Sequence, residues 1–215
     1  MKRFRTASPL LLALLLAACG GDDGSRPDAP AAKVNVEALP AGSYTVATGD
    51  GDAPAAGQYY AGSDGSRLLV VNDADEAART LYKQDASGTW RAVPPAGVDT
   101  TVTLSGREPR PSPAASTAAL AGAYQIPLAG GGVAAILLSA QGAIAAGEGA
   151  CRISGQTGPS TLPGALAVTL TFAGCAGLPA TAAGTLFADP DYAPAKLRLI
   201  VDDGNRVVDL WAYPG

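Results

Sequence analysis

Histidine is missing from all 215 residues, and methionine occurs once, at Met1. Histidine is the side chain that titrates nearest neutral pH and the commonest metal ligand. Its absence excludes Ser-His-Asp and Cys-His catalysis and any histidine-ligated zinc. No GxSxG, Walker-type or SxxK stretch is present either. Long apolar runs are equally scarce: the one that stands out, Leu10–Ala18, has nine residues, against about 20 for a membrane-spanning helix. Cysteine occurs three times, an odd number, so one of the three cannot pair within the molecule.

The chemistry left for an enzyme is carboxylate-only catalysis or an oxygen-ligated cation. Asp50 with Asp52, Asp73 with Asp75 and Glu76, Asp189 with Asp191, and Asp202 with Asp203 are the candidates. Each lies beside Gly, Pro, Asn or Ala in a turn-like stretch, where acidic side chains cap backbone groups. The residues 72–76, NDADE, lack the glycine and distant glutamate of a calcium loop. No catalytic residue, metal or cofactor is assigned, and a non-enzyme is expected.

What is there begins with Met1, Lys2, Arg3 and Arg5, followed by the Leu10–Ala18 run, a pattern suited to an export signal. Leu16-Ala17-Ala18-Cys19 then resembles the lipobox of bacterial lipoproteins. The resemblance implies cleavage before Cys19, diacylglycerol on its thiol and acylation of the new amino group. It covers residues 1–19 alone, and no family resemblance extends to the body. Several acyl chains, at about 0.8 kcal/mol per buried CH₂, would hold a water-soluble body at a membrane. Gly20 in place of aspartate implies the outer membrane, with the face left open. Cleavage takes three of the 15 basic residues and none of the 19 acidic ones, leaving side chains at −7. That balance argues against nucleic acid and against a polybasic membrane patch.

Residues 19–40 read as the lipidated cysteine and a flexible Gly-, Asp-, Ala- and Pro-rich tether. Residues 41–106 form a first β domain, 107–117 a Pro-rich linker, and 118–215 a second β domain. Short aliphatic or β-branched runs such as RLLVVN, AVTLTF and KLRLIV, bounded by Gly, Pro, Asp or Ser, predict a mainly β chain of two small antiparallel sandwich-like or barrel-like domains. The clearest hairpin spans 195–213, with Asp203-Gly204 in the turn. Asp73–Gln84 offers a capped helix, although its RTLYK segment equally suits pairing with TWRAV across a turn at 85–88. Ala41-Gly42-Ser43-Tyr44 is echoed 80 residues later by Ala121-Gly122-Ala123-Tyr124, as an old duplication would produce.

With Cys19 assigned to lipid, Cys151 and Cys175 remain to pair. They flank a predicted hairpin, and an oxidising compartment favours a bridge worth roughly 3–4 kcal/mol. Tyr59 and Tyr60 are adjacent, so a strand directs them to opposite faces, and an exposed tyrosine between Gly57 and Gly62 would make a binding anchor. The commoner arrangement is a tyrosine that simply covers a partly solvated sheet. Trp90 and Trp211 read as core residues or lids over the core. The expected function is a lipid-anchored, non-catalytic envelope module that binds an envelope protein or glycan. The alternative is a lipocalin-like carrier of a small apolar ligand; oligomeric state is left open.

Overall fold

Alternation of apolar and polar side chains sets most of the strands. In Ala165–Ala173 the side chains of Leu166, Val168, Leu170 and Phe172 are buried while Ala167, Thr169 and Thr171 face water, the period of two that one buried face imposes. The computed structural model describes residues 31–49 and 54–215, and Ala31–Gly215 forms one compact unit. In chain order its strands are β1 (Val34–Val36), β2 (Gly42–Thr48), β3 (Ala55–Ala61), β4 (Arg67–Asn72), β5 (Ala78–Gln84), β6 (Trp90–Val93), β7 (Thr100–Val102) and β8 (Leu104–Arg110). After a short helix, α1 (Thr117–Leu120), come β9 (Gly122–Pro127), β10 (Val133–Leu138), β11 (Ala143–Ala146), β12 (Arg152–Pro159), β13 (Ala165–Ala173), β14 (Thr181–Phe187), a 3₁₀ turn at Pro190–Tyr192, β15 (Leu197–Asp202) and β16 (Val207–Pro214).

The second half is a closed, antiparallel, eight-stranded barrel in which each strand pairs with its chain neighbours and β16 returns to β9. Closure runs through Tyr213 opposite Gln125 and Pro214 opposite Tyr124. The interior is filled: Ile126, Leu138, Ile153, Leu170, Leu186, Leu197 and Leu199 are among the most completely buried side chains, and Leu120 of α1 joins the same cluster. Eight strands leave room either for side chains alone or for one small ligand, and here the cluster of buried side chains makes the interior a packed core.

The first half is a six-stranded sheet in the order β6-β5-β4-β3-β2-β8, beside a two-stranded parallel pair of β1 and β7. Its two faces serve different cores. Val36, Leu39, Val46, Tyr59, Leu69 and Leu104 pack inside the curl of this half. Tyr60, Leu68, Val70, Leu81 and Val93 pack instead on Phe187, Tyr192, Ala195 and Ile200 of the barrel's outer wall.

Polar contacts reinforce that junction. Arg198, on β15, donates through Nε and Nη2 to both carboxylate oxygens of Asp209 at 3.0 and 2.7 Å. The same Nη2 reaches Asn72 Oδ1 at 3.1 Å and the Glu76 carbonyl at 3.0 Å in the first half. Glu76 has φ of 62°, an uncommon conformation for a non-glycine residue, and its carbonyl is fixed by this bond. Asp209 Oδ2 also accepts from the backbone N–H of Ala78 at 2.8 Å. Lys83 pairs with the buried Asp202 across the same junction.

The Gly-Tyr echo has a shared local geometry. Gly42 and Gly122 have φ of 148° and 159°. Each is followed two residues on by a tyrosine that donates back to a carbonyl four residues upstream, Tyr44 to Pro40 at 3.2 Å and Tyr124 to Leu120 at 2.6 Å. The strands they open hold equivalent places: β2 lies between β3 and β8, and β9 between β10 and β16.

One alternative is decided and two expectations need correction. The end of the 19–40 tether is structured: Val34–Val36 is β1, paired with Thr100–Val102, and Leu39 is buried. Asp73–Gln84 is not a helix: Asp73 Oδ1 accepts from the N–H groups of Asp75 and Ala77 in a turn, and the chain then enters β5. There Leu81 lies opposite Val93, and Gln84 opposite Trp90. The partner strand won because Leu81 is buried on the junction face, a tertiary gain that outweighs a local cap. Residues 107–110 are not linker either; they belong to β8, where Pro109 sits opposite Tyr44. β8 is at the edge of its sheet, a place in a ladder that tolerates a residue without an N–H.

Candidate functional site

Among the sequence-derived candidates, Cys151 and Cys175 form a disulfide with Cα atoms 4.3 Å apart. The bridge closes the base of the β12–β13 hairpin, where Arg152 lies opposite Ala173. Cys19 lies outside the described residues. Tyr59 and Tyr60 do point to opposite faces of β3, but neither is a surface anchor, since they are 0% and 6% exposed. Both faces of this sheet are covered, one by the curl of its own half and one by the barrel wall, which adjacent tyrosines alone could not reveal. Burial raises the pKa of both phenols, that of Tyr60 well above its ordinary value, with the neighbouring Tyr192 adding to the effect.

Asp202 is not in a turn: it is the buried last residue of β15, paired with Lys83. Other candidate carboxylates do lie in turns. Asp203 Oδ1 accepts from Asn205 and Arg206 N–H groups, each at 2.9 Å, bonds that hold its carboxyl below the usual range. Asp189 caps the Pro190–Tyr192 turn and pairs with Arg110 at 2.8 Å. Asp50 and Asp52 lie outside the described residues. Among the described residues no three acidic or cysteine side chains converge as a metal cluster would.

The concavity with the best claim to a ligand lies where the first half fails to close. Each strand of this half, β1 and β7 included, contributes to the interior around Tyr59, yet β6 has a ladder partner only in β5, and β1 only in β7. Between these free edges opens a cleft of about 900 Å³, within the range of small-molecule sites. Its walls include Val34, Trp90, Ala92, Val93, Pro95 and Ala96. Lys33, Thr89 and Arg91 supply polar groups, and Gly204, from the β15–β16 turn, reaches it from the barrel half. Trp90 is half-buried, its ring tilted on Tyr59 with centroids 6.5 Å apart.

Compared with protein-family models, curated proteins and solved structures, the chain matches none. The cleft's chemistry therefore stands on its own residues. An apolar floor with an indole, two cationic side chains at the margin and unpaired strand edges suits an apolar molecule with a polar end. No local pattern in the sequence marks this site, because it arises from two strand edges more than 50 residues apart that do not join. Trp90 alone carried a signal, and its reading as a lid describes its packing on Tyr59.

Proposed function

We propose that this protein is a lipid-anchored, non-catalytic module of the bacterial envelope that holds a small, largely apolar ligand in the cleft between β1 and β6. The observation that carries this reading is the cleft itself, an apolar-floored space of about 900 Å³ with Ala31, Val34 and Trp90 among its lining residues. Ala31 lies twelve positions after Cys19. With Cys19 acylated, a coil of that length spans about 20 Å, and at full extension about 40 Å. The cleft would thus stay within reach of the membrane surface, a source of apolar molecules.

The carrier alternative moves ahead of protein or glycan capture on β3, because Tyr59 and Tyr60 offer no exposed anchor. It differs from a lipocalin in one respect: the closed barrel is packed, so the ligand sits in the unclosed half.

Titration of the full chain with lauric acid, read by the two tryptophan indole N–H resonances, tests the proposal. The Trp90 resonance should shift saturably, and Trp90→Ala should weaken binding by about tenfold through loss of an apolar anchor. Cys19→Ala should move the protein from the membrane to the soluble fraction. A stationary Trp90 resonance would sink the ligand reading, and unchanged membrane association would sink the anchor.

A further inference from the structure

A second cleft, sharing no residue with the first, lies at the junction of the two halves. It holds about 270 Å³, and Gln58, Asn72, Arg110, Tyr192, Arg198 and Trp211 are among the residues that line it. Its hydrogen-bonding inventory is lopsided. Tyr192 is 7% exposed and its hydroxyl has no partner. The Tyr60 hydroxyl nearby donates to Gln58 Oε1 at 3.0 Å, and the two phenols lie close enough to shift each other's titration. Arg110 bonds Asp189 and Asp191 through Nη2 alone, at 2.8 and 2.9 Å, leaving Nε and Nη1 without a partner among the described residues. Arg198 commits Nε and Nη2 to the junction, leaving Nη1 similarly free. Spare capacity here is therefore mostly that of donors, and the one among them that is buried without a partner, the Tyr192 hydroxyl, is costly to leave unsatisfied.

Charge then narrows the ligand. Both arginines are already ion-paired, and Asp73, Glu76 and Asp191 line the same cleft, so an anion meets as much repulsion as attraction. An apolar molecule would strand the donors. A neutral molecule with many oxygens satisfies them, and its own hydroxyl hydrogens find the carboxylates. Trp211 adds a half-buried indole, with Arg198 4.6 Å from its ring centroid and the Tyr192 ring edge-on at 5.1 Å. An indole beside converging polar groups can pack the C–H face of a sugar while they bond its oxygens. The volume lies just below the range of drug-sized sites, which suits a single ring.

We infer that this junction cleft is a binding site for one ring of a neutral saccharide, with Tyr192, Arg110 and the free edge of Arg198 as donors and Trp211 as the apolar platform. The site is independent of the apolar cleft, and the chain's two tryptophans, one in each, separate the two ideas.

The experiment is titration of the full chain carrying Cys19→Ala with glucose and, separately, N-acetylglucosamine, each to hundreds of millimolar, followed by the indole N–H resonances. With at least one sugar the Trp211 resonance should shift saturably while that of Trp90 stays in place. Tyr192→Phe removes only the unpartnered hydroxyl, so it should fold with an equal or higher Tm and weaken sugar binding about threefold to tenfold. A Trp211 resonance unmoved by both sugars, or equal affinity in Tyr192→Phe, would overturn the inference. A Trp90 response to lauric acid without a Trp211 response to sugar would leave the carrier reading standing and this one refuted.

Discussion

Arg198 shows how much one side chain can decide. Its side chain is 2% exposed and that of Asp209 6%, so each charge depends on the other and on the bonds to Asn72 and Glu76. Removing one member of such a pair leaves a buried charge without compensation, which costs about 3–5 kcal/mol. Arg198→Ala should lower unfolding free energy by about that amount in urea titrations, and Arg198→Met with Asp209→Leu should recover part of the loss. In the sequence Arg198 stands in KLRLIV, where a charge among alternating apolar residues suggests a solvated face. Every residue of β15 is in fact buried, because the outer wall of the barrel is covered by the first half. That covering comes from residues more than a hundred positions away, so no local pattern carries it. The same reason hid the burial of Tyr60, whereas the opposite orientation of Tyr59 and Tyr60 followed from strand geometry alone.

Elements with short-range causes were the legible ones. The β15–β16 hairpin was readable because Gly204 supplies the positive φ, 90°, that its turn requires. The disulfide was readable because Cys151 and Cys175 flank a hairpin of matched arms. That bridge closes a loop of 24 residues, which in the chain-entropy picture restricts the unfolded state by about 3.5 kcal/mol. Replacing both cysteines by serine should reduce stability by about 3 kcal/mol in denaturant titrations, with the barrel still formed. The Asp73 segment was legible only as two alternatives, because its cap serves a turn as well as a helix. The choice between them was made by Leu81 meeting the junction core. The edge position of β8 similarly decided how Pro109 could be used, and an edge is a property of the sheet rather than of the strand.

At the scale of the molecule, the two halves differ in self-sufficiency. The barrel has its own filled interior and disulfide, while the six-stranded sheet relies on the barrel to cover Tyr60, Leu68, Val70, Leu81 and Val93. Residues 117–215 made alone should unfold cooperatively, whereas residues 31–116 alone should expose that face, bind hydrophobic dyes and give collapsed amide dispersion. The dependence of one half on the other was not foreseeable, since it resides in contacts between distant segments. Barrel closure was equally hidden, because Tyr124 and Pro214, 90 residues apart, carry no shared signature. That separation has a consequence in time. β9 is made early and gains β10 at once, but its other edge waits until β16 has been delivered. Hairpins along the barrel can form in succession as the chain emerges, while the ring itself closes last and in a single step. The interval leaves β9 open to pairing with another chain, so dilution or a holding chaperone during synthesis should raise the yield of folded barrel more than any change to its core.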